Sequence, residues 1–146
     1  MQIKKSIKIL SDAITVYEKL SSFEFLNKIN SSAGVISSLV FENDRIQKYS
    51  LCVEGVGKWE SEKILLPEVK TLLIHRVKPM LPFKYMIVIY RIEEIENDRY
   101  SILHYTEEFE LEKEDKHLEN NIFRKIVEKD NGILSKIAES FNDCEL

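Results

Sequence analysis

The sequence contains little proline, glycine or cysteine and has no long apolar run. Its 146 residues include 3 prolines and 4 glycines, which excludes collagen-like repeats, long linkers and low-complexity tails. The two cysteines, Cys52 and Cys144, lie far apart and lack the spacing of metal ligands. We therefore expect neither a disulfide framework nor a metal site. No segment approaches the ~20 apolar residues of a membrane span.

The sequence also lacks a large excess of charge of either sign. Lysine and arginine number 21 against 25 aspartates and glutamates, and the two signs are interleaved along the chain. This distribution leaves no basic stripe for a nucleic-acid backbone and no cationic face for anionic lipid. The apolar residues after Met1 are too few for a signal-peptide core. We expect a cytoplasmic monomer or homodimer with no nucleic-acid or membrane partner.

The residues that are present indicate one folded domain over residues 1–146. Hydrophobic residues make up 44% of the chain and aromatic residues 10%, enough for a sizeable core. The run from Ile3 to Leu10 is typical of a strand, and Ser11 is a favourable helix N-cap. Apolar residues then recur at three-residue spacing on both sides of Ser21 and Ser22. This pattern predicts two short helices after the first strand.

Strand patterns dominate from Val35 onward, and a helical pattern ends the chain. A series of β-branched and aromatic runs predicts an antiparallel meander. Its turn signals are Asn43-Asp44, Gly55 to Gly57, Pro67-Glu68, Pro79 to Pro82 and Asn97-Asp98. After Leu111, apolar residues of helical period predict one long helix, with Gly132 allowing a kink. The stripe consists of Leu118, Ile122, Ile126, Ile133, Ile137 and Phe141. The order of elements predicts an α+β fold in which this helix covers one face of a curved sheet.

Strand alternation places polar groups on the face that the long helix covers. Along residues 58–66 the charged face is solvated, so Trp59, Ser61 and Lys63 share the inner face. The same alternation turns Glu107 inward in the last strand. Burying an unpaired ion costs several kcal/mol. The pattern is compatible with a Lys63–Glu107 ion pair, with a lysine extending to the sheet edge, or with a pKa shift toward the neutral form. It is also compatible with a wet cavity on the order of a few hundred Å³, which explains the charges most simply.

Three segments carry information beyond periodicity. Residues 59–63 are WESEK, residues 75–77 are HRV followed by PFKYM at 82–86, and residues 107–111 are EEFEL. These segments resemble the W-x-S-x-R signature, the HRV and PFxYM strand pair and the QEFxM segment of bacterial polyketide aromatase/cyclases of the tetracenomycin type. The resemblance spans nearly the whole chain. It implies a helix-grip (START-like) fold, a curved antiparallel sheet wrapped around a long C-terminal helix.

The resemblance also implies an activity. Enzymes of this family hold a poly-β-ketone, carried on an acyl carrier protein, in an internal pocket and direct its aldol cyclisation, dehydration and aromatisation. The family implies no cofactor. Its W-x-S-x-R arginine matches Lys63. A lysine ammonium would stabilise an enolate as a point charge, without the bidentate hydrogen bonding of a planar guanidinium. The arginine of its HRV segment matches Arg76, which would position the chain.

The candidate site combines this resemblance with the assignment of strand faces. We expect catalytic roles for Lys63, Arg76 and Ser61. The candidate substrate-binding residues are Trp59, Tyr49, Met86, Tyr90, Tyr105, Glu107 and Phe109. Alternation alone leaves open whether Arg76 or its neighbour His75 faces inward.

Two functions remain open at this point. One is a polyketide aromatase/cyclase, and the other is a non-catalytic carrier of a hydrophobic small molecule, such as a lipid or polyketide, on the same fold. Convergence of Lys63 and Arg76 on one pocket would favour the enzyme, because an apolar ligand gains nothing from two buried cations.

Overall fold

The computed structural model describes residues 1–53, 57–78, 82–95 and 99–142. Its elements are β1 (Gln2–Ile9), α1 (Ala13–Ser21), α2 (Phe23–Ser32), β2 (Val35–Glu42), β3 (Ile46–Val53), β4 (Gly57–Leu66), a 3₁₀ turn (Pro67–Val69), β5 (Thr71–Lys78), β6 (Phe83–Glu94), β7 (Ser101–Leu111) and α3 (Lys116–Asn142). The turns predicted at Gly55, Pro79 and Asn97 lie outside the described residues.

Seven strands form one antiparallel sheet in the order β1-β7-β6-β5-β4-β3-β2. Strands β2 to β7 follow one another as hairpins, and β1 pairs with β7, so β1 and β2 are the two edges. The two short helices and the long helix pack on one face of this sheet. The predicted α+β, helix-grip architecture is therefore confirmed.

The first helix begins one residue later than the sequence suggested. Asp12, not Ser11, is the N-cap of α1, and its carboxylate accepts a 2.7 Å hydrogen bond from the backbone N–H of Thr15. An aspartate cap also places its negative charge at the positive end of the helix dipole. The break between α1 and α2 lies at Ser22, as predicted.

The long helix α3 runs without interruption through Gly132. Its buried stripe differs from the predicted one: Leu118 is 36% exposed, and the fully packed positions are Ile126, Asp130, Leu134, Ile137 and Phe141. An aspartate thus occupies a position in the apolar stripe. No helix in the described part of the chain is long and apolar enough to cross a membrane.

Two apolar clusters join the helices to the sheet. The larger contains α1, α2 and the second half of α3 packed against β5, β6 and β7, with Leu20, Leu72 and Ile137 fully buried. The smaller surrounds Phe109 and includes Met86. Residues of both clusters line the internal cavity, so the core positions the site directly.

Candidate functional site

A cavity of about 120 Å³ lies between the sheet and helices α2 and α3. Eight of the residues predicted for the site line it: Arg76, Ser61, Trp59, Tyr49, Met86, Tyr90, Tyr105 and Glu107. The cavity is smaller than the few hundred Å³ expected from the sequence, because aromatic and aliphatic side chains fill much of the concave face. A cavity of roughly 150 Å³ is enough for benzene. The cavity therefore holds at most one six-membered ring.

Arg76 supplies a buried cation to this cavity. It pairs with Ser61 across β4 and β5, and its guanidinium carbon lies 4.5 Å from the Trp59 ring centroid and 5.1 Å from that of Phe83. Burial lowers the pKa of Arg76, whereas the carboxylate of Glu107 acts in the opposite direction. The Nη1 atom is buried and finds no hydrogen-bond partner among the described residues. This N–H is free to bind an oxygen of a ligand.

Tyr105 joins two buried carboxyl groups at the side of the cavity. Its hydroxyl lies 3.1 Å from Glu107 Oε2 and 2.9 Å from Asp130 Oδ1, and both acidic residues are fully buried. One hydroxyl proton satisfies only one of these contacts, so the other requires a proton held by a carboxyl group. Burial, together with the hydrogen bond and charge of Glu107, raises the pKa of Asp130 to about 8. The group therefore holds an exchangeable proton at neutral pH.

Two members of this site were missed in the sequence analysis. Asp130 lies four residues from both Ile126 and Leu134, so a break in the α3 stripe was the signal that could have revealed it. Lys129 lines the cavity, with its Nζ 3.8 Å from Glu107 Oε1. This ion pair replaces the Lys63–Glu107 bridge considered from the sequence.

Lys63 lies away from the cavity. Its side chain is 1% exposed, and its ammonium donates a 3.3 Å hydrogen bond to the carbonyl of Leu20 at the end of α1. Gln47, opposite it on β3, donates to the carbonyl of Ser21. Both side chains satisfy carbonyls that the helix leaves unpaired at its C-terminus. The convergence of Lys63 and Arg76 expected from the motif is therefore not found, and the position of Lys63 supports a capping role.

Phe109 is the other predicted site residue that does not line the cavity. It is fully buried in the smaller cluster, where its ring makes an edge contact with Phe83 at a centroid distance of 5.7 Å. Since Phe83 also contacts Arg76, Phe109 supports the site from behind. Arg76, and not His75, is the inward residue of β5, which answers the question that alternation left open.

Replacing Lys63 by methionine tests the capping interpretation through the pH dependence of stability. Burial lowers the pKa of Lys63 to about 8, against ~10.4 in an unfolded chain. Between these values the unfolded state binds more protons, so the free energy of unfolding of the wild type should rise with pH, by up to about 3 kcal/mol. Lys63→Met should lack this rise in chemical denaturation at pH 8 and pH 10. Lys58→Met, on the exposed face of the same strand, should retain it, and an equal rise in all three proteins would contradict the assignment.

Fold and site together define a helix-grip protein with an internal cavity that combines a buried cation with a proton-holding acid pair. The solved structures similar to it include aromatase/cyclases. The ZhuI aromatase/cyclase of a Streptomyces species matches with a TM-score of 0.71 and 16% identity, over 94% of this chain and 93% of that one. The di-domain aromatase/cyclase BexL matches with a TM-score of 0.78 and 13% identity, over 95% of this chain and 45% of that one.

A plant enzyme has the same fold. A point mutant of norcoclaurine synthase of Thalictrum flavum matches with a TM-score of 0.71 and 11% identity, over 100% of this chain and 96% of that one. No family model and no curated protein sequence matches. The aromatase/cyclase-like, START-like fold inferred from the sequence motifs is thus confirmed.

Proposed function

We propose that the protein is a polyketide aromatase/cyclase that directs aldol condensation and dehydration of a poly-β-ketone in its internal cavity. The observation that carries the proposal is the unpaired N–H of Arg76 in the same cavity as Glu107 and the proton shared with Asp130. An aldol step needs a donor that stabilises an enolate oxygen and a group that moves protons. Both requirements are met within one cavity.

In this mechanism Arg76 binds the ketone oxygen. Its Nη1–H donates a hydrogen bond to the carbonyl, and the interaction strengthens as negative charge develops on the enolate oxygen. Stacking between Trp59 and Phe83 holds the guanidinium in place without consuming this donor. Because the guanidinium is preorganised and shielded from water, the charge it stabilises is poorly screened.

Glu107 and Asp130 carry the protons. Glu107 lines the cavity and takes the proton from the carbon between two ketones, while Lys129 is close enough to stabilise its charge. Asp130, protonated at neutral pH, passes a proton through the hydroxyl of Tyr105 to the leaving hydroxyl during dehydration. Two carboxyl groups with different environments can thus act as base and acid in one site.

The size of the cavity limits the substrate. A volume of about 120 Å³ leaves space for no more than one ring, so the proposal is closure of a single ring, with the rest of the chain extending outside the cavity. An acyl carrier protein, which the motif resemblance implies as the partner, would hold that outer end as a thioester.

The proposal is tested by incubating the protein with a poly-β-ketone thioester and following products by mass and ultraviolet absorbance. We expect an aromatic product that has lost one water per ring and forms faster than in a protein-free control. Formation of the spontaneous product mixture at the uncatalysed rate would overturn the proposal.

A non-catalytic carrier of a hydrophobic molecule is the second candidate. The separation of Lys63 from the cavity favours it, because the second cation in the lining, Lys129, is paired with Glu107 and Arg76 is the one cation there with an unpaired donor among the described residues. A carrier should bind a monocyclic aromatic ligand in calorimetry and leave a polyketone thioester unchanged. Its affinity for an apolar ring should be equal or higher in Arg76→Met, whereas the cyclase needs the arginine.

A further inference from the structure

A second polar cluster lies on the opposite, outer face of the sheet. The hydroxyl of Ser6 on β1 is 2.8 Å from Nδ1 of His104 on β7, and Nε2 of His104 is 2.8 Å from Oε1 of Glu93 on β6. The imidazole is 28% exposed and the glutamate side chain 45% exposed, so solvent and small molecules reach the cluster. Three neighbouring strands thus align a hydroxyl, an imidazole and a carboxylate.

The carboxylate determines how the imidazole acts. An ionised Glu93 can only accept a hydrogen bond, so Nε2 of His104 carries the proton. In the neutral ring Nδ1 is then the acceptor, and the hydroxyl of Ser6 donates to it. This is the arrangement in which a histidine withdraws the proton of a serine nucleophile and a carboxylate stabilises the resulting imidazolium.

The hydrogen-bond pattern between β1 and β7 leaves the backbone N–H of Ser6 pointing to the free edge of the sheet. Met1 and Phe109 exchange both backbone hydrogen bonds, at 2.7 and 2.9 Å, so they form a hydrogen-bonded pair. Such pairs alternate along an antiparallel ladder, which makes Ser6 and His104 a non-hydrogen-bonded pair. Because β1 is an edge strand, the backbone N–H of Ser6 points to the free edge. It can serve as a donor to an oxyanion formed at Ser6.

A cleft of about 450 Å³ follows this free edge between β1 and α3, and Ser6 forms part of its wall. Its other lining residues are Lys5, Ile7, Asn131, Leu134, Ser135 and Ala138. The hydroxyl of Ser6 lies on the outer side of β1, whereas Ile7 and the α3 residues lie on its inner side. An acyl chain attached to Ser6 therefore reaches the cleft only by passing around the free edge of β1. The cleft is distinct from the internal cavity, with which it shares no lining residue.

We propose that Ser6, His104 and Glu93 form a second active site that hydrolyses carboxylic esters. The Ser6 oxygen attacks the ester carbonyl while its proton passes to Nδ1 of His104. The tetrahedral intermediate collapses, the bond to the alkoxide breaks, and the alkoxide leaves as an alcohol with that proton. Water, activated by His104, then cleaves the acyl-serine and releases the carboxylic acid.

The experiment uses a fluorophosphonate probe on the full chain, with intact mass and peptide mapping, and p-nitrophenyl butyrate as substrate. We expect one adduct, located on Ser6, and ester hydrolysis that is lost in Ser6→Ala. Ser38→Ala, which removes an exposed serine from the other edge strand, should label and hydrolyse like the wild type. An unlabelled Ser6 in the wild type, or hydrolysis that survives in Ser6→Ala, would overturn the proposal.

The contribution of Glu93 is a positioning role and has its own readout. Glu93→Gln replaces a group that only accepts by an amide that also donates, so the tautomer of His104 is no longer fixed and the charge that stabilises the imidazolium is lost. Labelling and hydrolysis should slow by roughly tenfold or more. Glu93→Asp keeps a carboxylate and should restore part of the rate. Equal rates for Glu93→Gln and the wild type would contradict the arrangement. They would show that Glu93 does not control the tautomer of His104 and has a structural role alone.

Discussion

Replacing Arg76 by methionine is expected to slow ring closure by about a hundredfold to a thousandfold, the usual loss when one preorganised oxyanion donor is removed. Methionine fills a similar volume between Trp59 and Phe83, so the cavity should keep its shape. The fold should remain intact or become more stable, since a desolvated charge is replaced by an apolar chain. Arg76→Lys should retain part of the rate, because lysine keeps the positive charge but lacks the planar set of donors of the guanidinium. Single-turnover kinetics with the polyketone thioester measure both effects.

The control for this experiment is Arg91→Met. Arg91 is an exposed arginine on β6, outside the cavity lining, and its loss changes net charge by the same amount. This variant should react at the wild-type rate. If Arg76→Met also kept the wild-type rate and product distribution, Arg76 would have a structural role alone and the carrier function would be favoured.

Replacing Asp130 by asparagine should change the pH dependence of stability more than any other substitution considered. The pKa of Asp130 is about 8 in the folded protein, against ~3.9 in an unfolded chain. Between these values the folded state binds more protons, so the free energy of unfolding of the wild type should fall as pH rises from 4 to 8. The loss is on the order of a few kcal/mol. Asp130→Asn should remove most of this fall and be the more stable protein at pH 8.

Urea unfolding at a series of pH values measures this effect. Asp44→Asn is the matched control, because Asp44 is exposed and its replacement should leave the pH profile unchanged. The same Asp130→Asn protein should lose dehydration activity, since an amide cannot pass a proton to Tyr105. A profile for Asp130→Asn that parallels the wild type would show that Asp130 is not the group that holds the proton.

These two substitutions point to a conflict between stability and activity in the site. A buried arginine with an unpaired N–H and a pair of carboxyl groups without full hydrogen bonding both cost folding free energy. The surrounding core supplies the stability that tolerates this cost. Buried polar groups that lack hydrogen-bond partners can bind a ligand. This property is the physical reason for proposing that the cavity is a functional site.

Local sequence patterns were sufficient for the order of elements and the α+β class. Period-2 alternation placed Ser61, Tyr105 and Glu107 on the buried face of the sheet, and Ser22 divided the two short helices as expected. These features depend on neighbours along the chain, because strand pleat and helical periodicity set the face of each residue. The motif resemblance added the helix-grip topology and directed attention to Arg76.

The chemistry of the sites depended on contacts between distant residues. Lys63 and Arg76 share a buried face of the sheet. The C-terminus of α1 lies over Lys63, whose ammonium donates to the carbonyl of Leu20. No pattern within β4 could reveal this contact. Asp130 contacts Tyr105 because the rotation of α3 about its axis turns the Asp130 side chain toward β7. Ser6, separated from His104 by 98 positions, approaches it through the register of β1 on β7. Alternation assigns each side chain to a face, but strand register and helix rotation determine which side chains on that face meet.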